Sequence, residues 1–154
     1  MNYKILSGDK NQLEEIVNLN YSIFENMYVD EPYSLGKYKA KLSEVSPVIF
    51  LAINEKNGKI MGDSIAFERD KSHYIWILAV LNEHQKQGIG TDLLKTNEDY
   101  ARRCLLDSVT VKTYNVSPEI QRLLIKRGYN IVAVEPAELD PKYNAVHFEL
   151  KLEK

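Results

Sequence analysis

Several things are scarce in this chain, and each scarcity removes a class of answer. There is one cysteine, Cys104, in 154 residues, so no internal disulfide can staple the fold. No apolar stretch approaches the ~20 residues that span a bilayer, and the first nine residues hold no signal-peptide core. The expected address is the cytoplasm, away from membranes. The three histidines, His73, His84 and His147, show no paired ligand spacing, and there is no Cys-x-x-Cys, so no metal site is expected. Positive charge is not in excess either. Net charge is -2, which argues against broad nucleic-acid binding. Cys104 falls on the apolar stripe of its helix, and a buried thiol is expected there rather than a nucleophile.

What remains is enough for one domain with a real core. Residues 2–6 read as a strand, and Gly8-Asp9 as a turn with a helix cap. Leu13, Ile16, Val17, Ile23, Phe24 and Met27 keep helical spacing over about 10–27. A loop from Tyr28 to Tyr33 precedes a second helix, from near Ser34 to near Val45. Pro47 opens a strand through Ile53 that is apolar on both faces and so expected inside a sheet. Asn57-Gly58 marks a hairpin, followed by a strand from Lys59 to Glu68. A turn at Arg69-Asp70-Lys71-Ser72 leads into the strand Tyr74–Leu81, whose single tryptophan, Trp76, is expected in the core.

The helix after that strand runs from near Ile89 to about Cys104, then a strand covers Val109–Thr113. Ser117-Pro118-Glu119 combines a cap, a first-turn proline and an acid on the helix dipole. Gly128 ends that helix. Two strands close the chain, Tyr129–Val134 and the alternating run from Val146 to Leu152. The order β-α-α-β-β-β-α-β-α-β-β mixes hairpins with helical crossovers, which predicts an α+β fold around one mixed, mostly antiparallel sheet flanked by four helices.

The most informative segment is Gln85-Lys86-Gln87-Gly88-Ile89-Gly90, set between an apolar strand and an amphipathic helix. The first amides of a helix lack internal partners and its dipole favours negative charge there. Glycines let a backbone come close to a phosphate. The segment therefore reads as a main-chain cradle for a pyrophosphate. A Walker A loop would need Lys-Ser or Lys-Thr where Thr91-Asp92 stand, and a dinucleotide fingerprint would need a small residue in place of Leu93.

That loop in that element order, together with Lys126-Arg127-Gly128-Tyr129 closing the fourth helix, resembles the GCN5-related N-acetyltransferases over nearly the whole chain. The resemblance implies acetyl-CoA as donor and a primary amine, on a small molecule or a peptide, as acceptor. It implies that Leu78, Ala79 and Val80 bind the pantetheine arm as an added strand would. It also implies that Gln85, Lys86, Gln87, Gly88, Ile89, Gly90 and Thr91 hold the pyrophosphate. The strands carrying Val80 and Thr113 would splay to admit the thioester. Asn115 and Ser117 are candidates for contact with the cofactor arm, against the plainer roles of turn and helix cap.

The usual proton-donating tyrosine of the family would fall at Leu124, which cannot supply a proton. Tyr74 is the first candidate for a polar catalytic role and Glu68, across the hairpin, the second. Both also read as ordinary strand residues. Tyr28, Glu31 and Tyr33 are candidates for the acceptor pocket, since carboxylates and aromatics suit a cationic amine. The competing expectation is a CoA-binding sensor without turnover, for which Leu124 speaks. A homodimer is the default for a small enzyme of this kind.

Overall fold

The computed structural model describes residues 2–25 and 33–153. Seven strands form one sheet in the order β1-β2-β3-β4-β5-β7-β6. They are β1 (Tyr3–Gly8), β2 (Val48–Asn54), β3 (Ile60–Arg69), β4 (Ser72–Val80), β5 (Ser108–Tyr114), β6 (Asn130–Glu135) and β7 (Ala145–Lys151). Every pairing is antiparallel except β4 with β5. Four α-helices flank it: α1 (Leu13–Phe24), α2 (Leu35–Ser43), α3 (Ile89–Arg103) and α4 (Pro118–Lys126). The α+β expectation and its element order hold. No helix among the described residues is long and apolar enough to cross a membrane.

Local chemistry sets the element ends. Asp9 accepts a hydrogen bond from the Asn11 amide, and Gln12 Oε1 accepts from the Asp9 amide. This capping box starts a 3-10 turn, Lys10–Gln12, that feeds α1. Ser34 Oγ accepts from the Lys37 amide and caps α2. Gly128, at φ 94°, stops α4 in the left-handed region that a side chain resists.

The two faces of the sheet bury different material. On one, α1 and α2 cover β2, β3 and β4 with Ile16, Val17, Tyr38 and Leu42 against Leu51, Ile65 and Ile77. On the other, Leu93 of α3 lies against Phe50, Ala52 and Met61. Leu94 of α3 and Leu124 of α4 pack with Val109, Val111 and Phe148. The fully buried Leu124 is therefore core.

Cys104 is exposed, contrary to the buried thiol expected from the helical stripe. The helix ends at Arg103, Leu105 turns left-handed at φ 57°, and Leu106 enters the core instead.

Strand β4 has one irregularity, and it positions everything below. Ile65 of β3 pairs with Ile77, but the next residue, Ala66, pairs with Ile75. Trp76 is thus an extra residue, a β-bulge, and bulges bend the strand that carries them. The parallel ladder between β4 and β5 runs from Ser72↔Ser108 to Ile75↔Val111 and stops there. The hydroxyls of Ser72 and Ser108, 2.5 Å apart, close the paired end. From Trp76 to Val80, β4 keeps β3 on one side and, among the described residues, has no strand on the other.

Candidate active site

A cavity of about 1080 Å³ opens where β4 and β5 part. The last pair is Ile75↔Val111, so parting begins at the bulge on β4 and two residues before Thr113 on β5, ahead of the Val80 and Thr113 positions expected from sequence. One wall is β4 with Trp76, Leu78 and Val80. The opposite wall is β5 and the start of α4, with Lys112, Tyr114, Ser117 and Leu123. The glycine loop closes one end.

In that loop Lys86 (φ 63°) and Gly88 (φ 91°) are both left-handed, and α3 starts at Gly88 with no side-chain cap. An uncapped helix start beside left-handed residues aims main-chain amides at a common point and suits an anion. Gln85, Lys86, Gly88, Ile89, Gly90 and Thr91 all line the cavity. The Gln85 side-chain amide donates to the Val80 carbonyl at 3.3 Å and to Asn82 Oδ1 at 3.1 Å, so the residue at the mouth of the loop also ties down the end of β4. Asp92, in the first turn of α3, accepts from the Tyr3 hydroxyl of β1. That carboxylate raises the Tyr3 phenol to about 12 together with burial, the larger cause.

Two cavity residues carry buried polar atoms without a partner, Ser117 Oγ and His84 Nδ1. Ser117 makes no side-chain cap bond to α4, although Ser-Pro-Glu reads as a cap. Its hydroxyl is left without a partner among the described residues. The free edge of β4, these atoms and the anion cradle lie along one channel. That fits a long molecule, amide-rich along one stretch and phosphorylated at one end.

Other candidates separate cleanly. Leu78 and Val80 line the cavity, whereas Ala79 is buried against the α1–α2 side and Gln87 is exposed outside the lining. Asn115 donates its amide to the Pro141 carbonyl at 3.1 Å. It holds the β6–β7 connection and does not line the cavity. Glu68 lies on the opposite sheet face from Tyr74, close enough to Tyr100 of α3 to help raise that phenol. Strand alternation explains this, since Phe67 meets the Tyr74 ring edge-on and its neighbour must point away. A general-base role for Glu68 does not fit this placement. Tyr28 and Glu31 lie outside the described residues, while Tyr33 lines the cavity and stacks on Trp76 at 5.6 Å.

Tyr74 does line the cavity. Burial raises its phenol, and Arg69 and Lys112 pull it partly back. Such a phenol stays protonated and donates hydrogen bonds. Sequence reasoning missed Lys41, Arg69, Trp76, Lys112, Tyr114, Arg122 and Tyr143 as lining residues. For Trp76 the signal was hidden: a single bulge residue in an apolar run leaves no mark on its pattern.

The acetyltransferase (GNAT) family model matches residues 13–129. The chain belongs to this family. Its fold is shared with solved structures at low identity. Ard1 from Thermoplasma volcanium superposes with a TM-score of 0.82 at 17% identity, covering 100% of both chains. The ribosomal-protein-S18-alanine N-acetyltransferase from Escherichia coli gives 0.80 at 18%, covering 99% of this chain and 96% of that one. The NatC complex bound to Gag peptide and CoA gives 0.75 at 19%, covering 99% and 100%. Comparison with curated protein sequences gave no significant match. The matched residues include the glycine loop, the bulged β4 and the parted β4–β5 pair.

Proposed function

We propose that this GNAT-family chain transfers an acetyl group from acetyl-CoA to a primary amine by direct attack, with both substrates in the cavity at once. The observation that carries this reading is the unpaired β4 edge from Trp76 to Val80, running into an uncapped helix start. Backbone groups of Leu78 and Val80 would hold the pantetheine arm as a strand neighbour. Amides from Lys86 to Thr91 would hold the pyrophosphate. Ser117, on the α4 wall of the cavity, would lie beside the arm.

The bound thioester supplies an activated acyl carbon. The acceptor must arrive as the neutral amine, because an ammonium has no lone pair. Its nitrogen forms the new bond to that carbon, the carbon–sulfur bond breaks, the amine loses one proton and the departing thiolate gains one. Burial keeps the Tyr74 phenol protonated, so its part is to donate a hydrogen bond rather than to act as base. Alignment between the β4 wall and the α4 wall supplies much of the rate.

A second reading has one observation in its favour. Leu124, at the family's usual donor position, is core, which suits a CoA-binding module without turnover. Calorimetric titration with acetyl-CoA, followed by assay of free CoA release with an amine panel, separates these readings. Micromolar binding with release supports transfer. Binding without release for every amine supports the module. No binding by a folded sample returns the glycine loop to a plain turn.

A further inference from the structure

The cavity is cationic in two separate places. One is the glycine-loop end, with Lys86. The other surrounds Tyr74. The Arg69 guanidinium lies 3.8 Å from the Tyr74 ring centroid, and Lys112 acts on the same phenol. Lys41 of α2 sits 5.4 Å over the ring of Phe67, which meets Tyr74 edge-on. All three cations line the cavity, and among the described residues none of them forms an ion pair. The described lining holds one carboxylate, Glu119 in the first turn of α4. Asp70 stands beside Arg69 in a small adjoining cavity without pairing to it, and Glu135 is engaged by His147 at 2.5 Å.

The two cationic places are far apart. Tyr74 and Val80 pair with Phe67 and Gly62 of β3 across the bulge, which sets them about 17 Å apart at ~3.3 Å per residue. A pyrophosphate in the loop accounts for the charge at one end. A neutral arm along β4 leaves the charge around Tyr74 unanswered. Three cations gathered on aromatic rings, without an ion pair among the described residues, cost free energy through mutual repulsion. They also disfavour an acceptor carrying only positive charge.

We infer that the acceptor is an amine bearing a carboxylate close to its nitrogen, recognised by Arg69 and Lys112 with Lys41 behind them. This rests on the proposed function only in placing an acceptor in the cavity. The carboxylate has two chemical sources, the α-carboxylate of a free amino acid or an acidic side chain at a peptide N-terminus. Arg69 offers a planar fork suited to either.

The test measures binding rather than turnover, so it stands apart from whether transfer occurs. With CoA saturating, the chain is titrated with phenylalanine and with phenethylamine, its analogue lacking the carboxylate. It is also titrated with C-terminally amidated peptides beginning Glu or Ser. The expected result is at least tenfold tighter binding for the carboxylated member of one pair. Phenylalanine preference names the amino acid, and Glu-peptide preference names the peptide. The Arg69→Gln and Lys112→Gln variants should each lose most of that preference while CoA binding, the check on folding, is unchanged. Equal or tighter binding of the uncarboxylated members, no binding of any carboxylated probe at millimolar concentration, or full preference in both variants would overturn the inference.

Discussion

Gly90 shows how one residue can be small for a ligand rather than for the fold. A Cβ there would meet Leu123 Cδ2 at 3.4 Å and Val80 Cγ2 at 3.9 Å, both ordinary contacts, and its φ is not positive. Nothing in the protein's own packing demands glycine. The open side of Gly90 is the cavity. Gly90→Ala is expected to fold and to bind acetyl-CoA with a modest loss. Gly90→Glu is expected to fold and to lose detectable binding, because it sets bulk and negative charge in the anion cradle. Calorimetry on both variants, with thermal melts as the folding control, decides this; wild-type affinity in Gly90→Glu would remove the loop from the site. Gly88 is the contrasting case, since its φ of 91° is a backbone demand.

At the scale of elements, the groove depends on where α4 is fixed. Glu98 of α3 is 1% exposed and is gripped twice from just beyond α4, by the Arg127 guanidinium and by the Tyr129 hydroxyl at 3.0 Å. The carboxylate and burial raise the Tyr129 phenol, burial most. The Lys-Arg-Gly-Tyr signature thus has a mechanical meaning: glycine turns the chain so that its two neighbours reach one buried acid. Arg127→Ala strands that acid, and breaking one side of a buried pair costs about 3–5 kcal/mol. The pair is partly open on the Arg127 side, so about 2–3 kcal/mol is expected in urea denaturation. A loss below about 0.5 kcal/mol would show the pin to be ornamental.

Element identity was legible where local chemistry decides it. Asn57-Gly58, Gly8-Asp9 and Ser117-Pro118 each announce a turn or a helix start. The glycine loop announced an anion site through chain order alone. What stayed hidden depends on single-residue phase. The Trp76 bulge, the early end of α3 before Cys104 and the sheet face of Glu68 all turn on one position. Period-2 and period-3.6 patterns in short apolar runs do not resolve one position. Asn115 keeps its plainer role while Ser117 loses the cap read for it, for a related reason. Which of two nearby polar side chains finds a partner depends on a distant segment, here Pro141.

At the scale of the whole molecule, the α1–α2 layer encloses an acid. Asp63 of β3 is fully buried, takes one hydrogen bond from Asn20 Nδ2 at 3.1 Å, and leaves Oδ2 unpartnered. Burial pushes its carboxyl from 3.8 up to about 8, against the smaller opposing effect of Asn20. Because the folded value is raised, the folded chain keeps a proton that the unfolded chain releases above 3.8. This group's contribution to stability therefore falls as pH rises toward 8, by up to about 1.4 kcal/mol per pH unit. Above 8 the decline stops. Asp63→Asn places a neutral amide there at every pH. Melting temperatures at pH 5, 6.5 and 8 should converge between the two proteins at acid pH and favour the variant at pH 8. A constant difference across the series would mean that Asp63 is ionised in the fold.

The lining of the cavity has a consequence for how quickly it fills. Among the described residues it carries five lysines and arginines against one glutamate, in a chain whose net charge is -2. The remaining surface is therefore acidic, and low-dielectric walls concentrate the field at the cleft. A polyanion approaching from bulk water is repelled from most of the protein and drawn to one opening. Its association rate should fall several-fold between 20 mM and 500 mM salt, while its dissociation rate changes little. Stopped-flow measurement of both would show whether the protein sorts its substrates by diffusion before any contact is made.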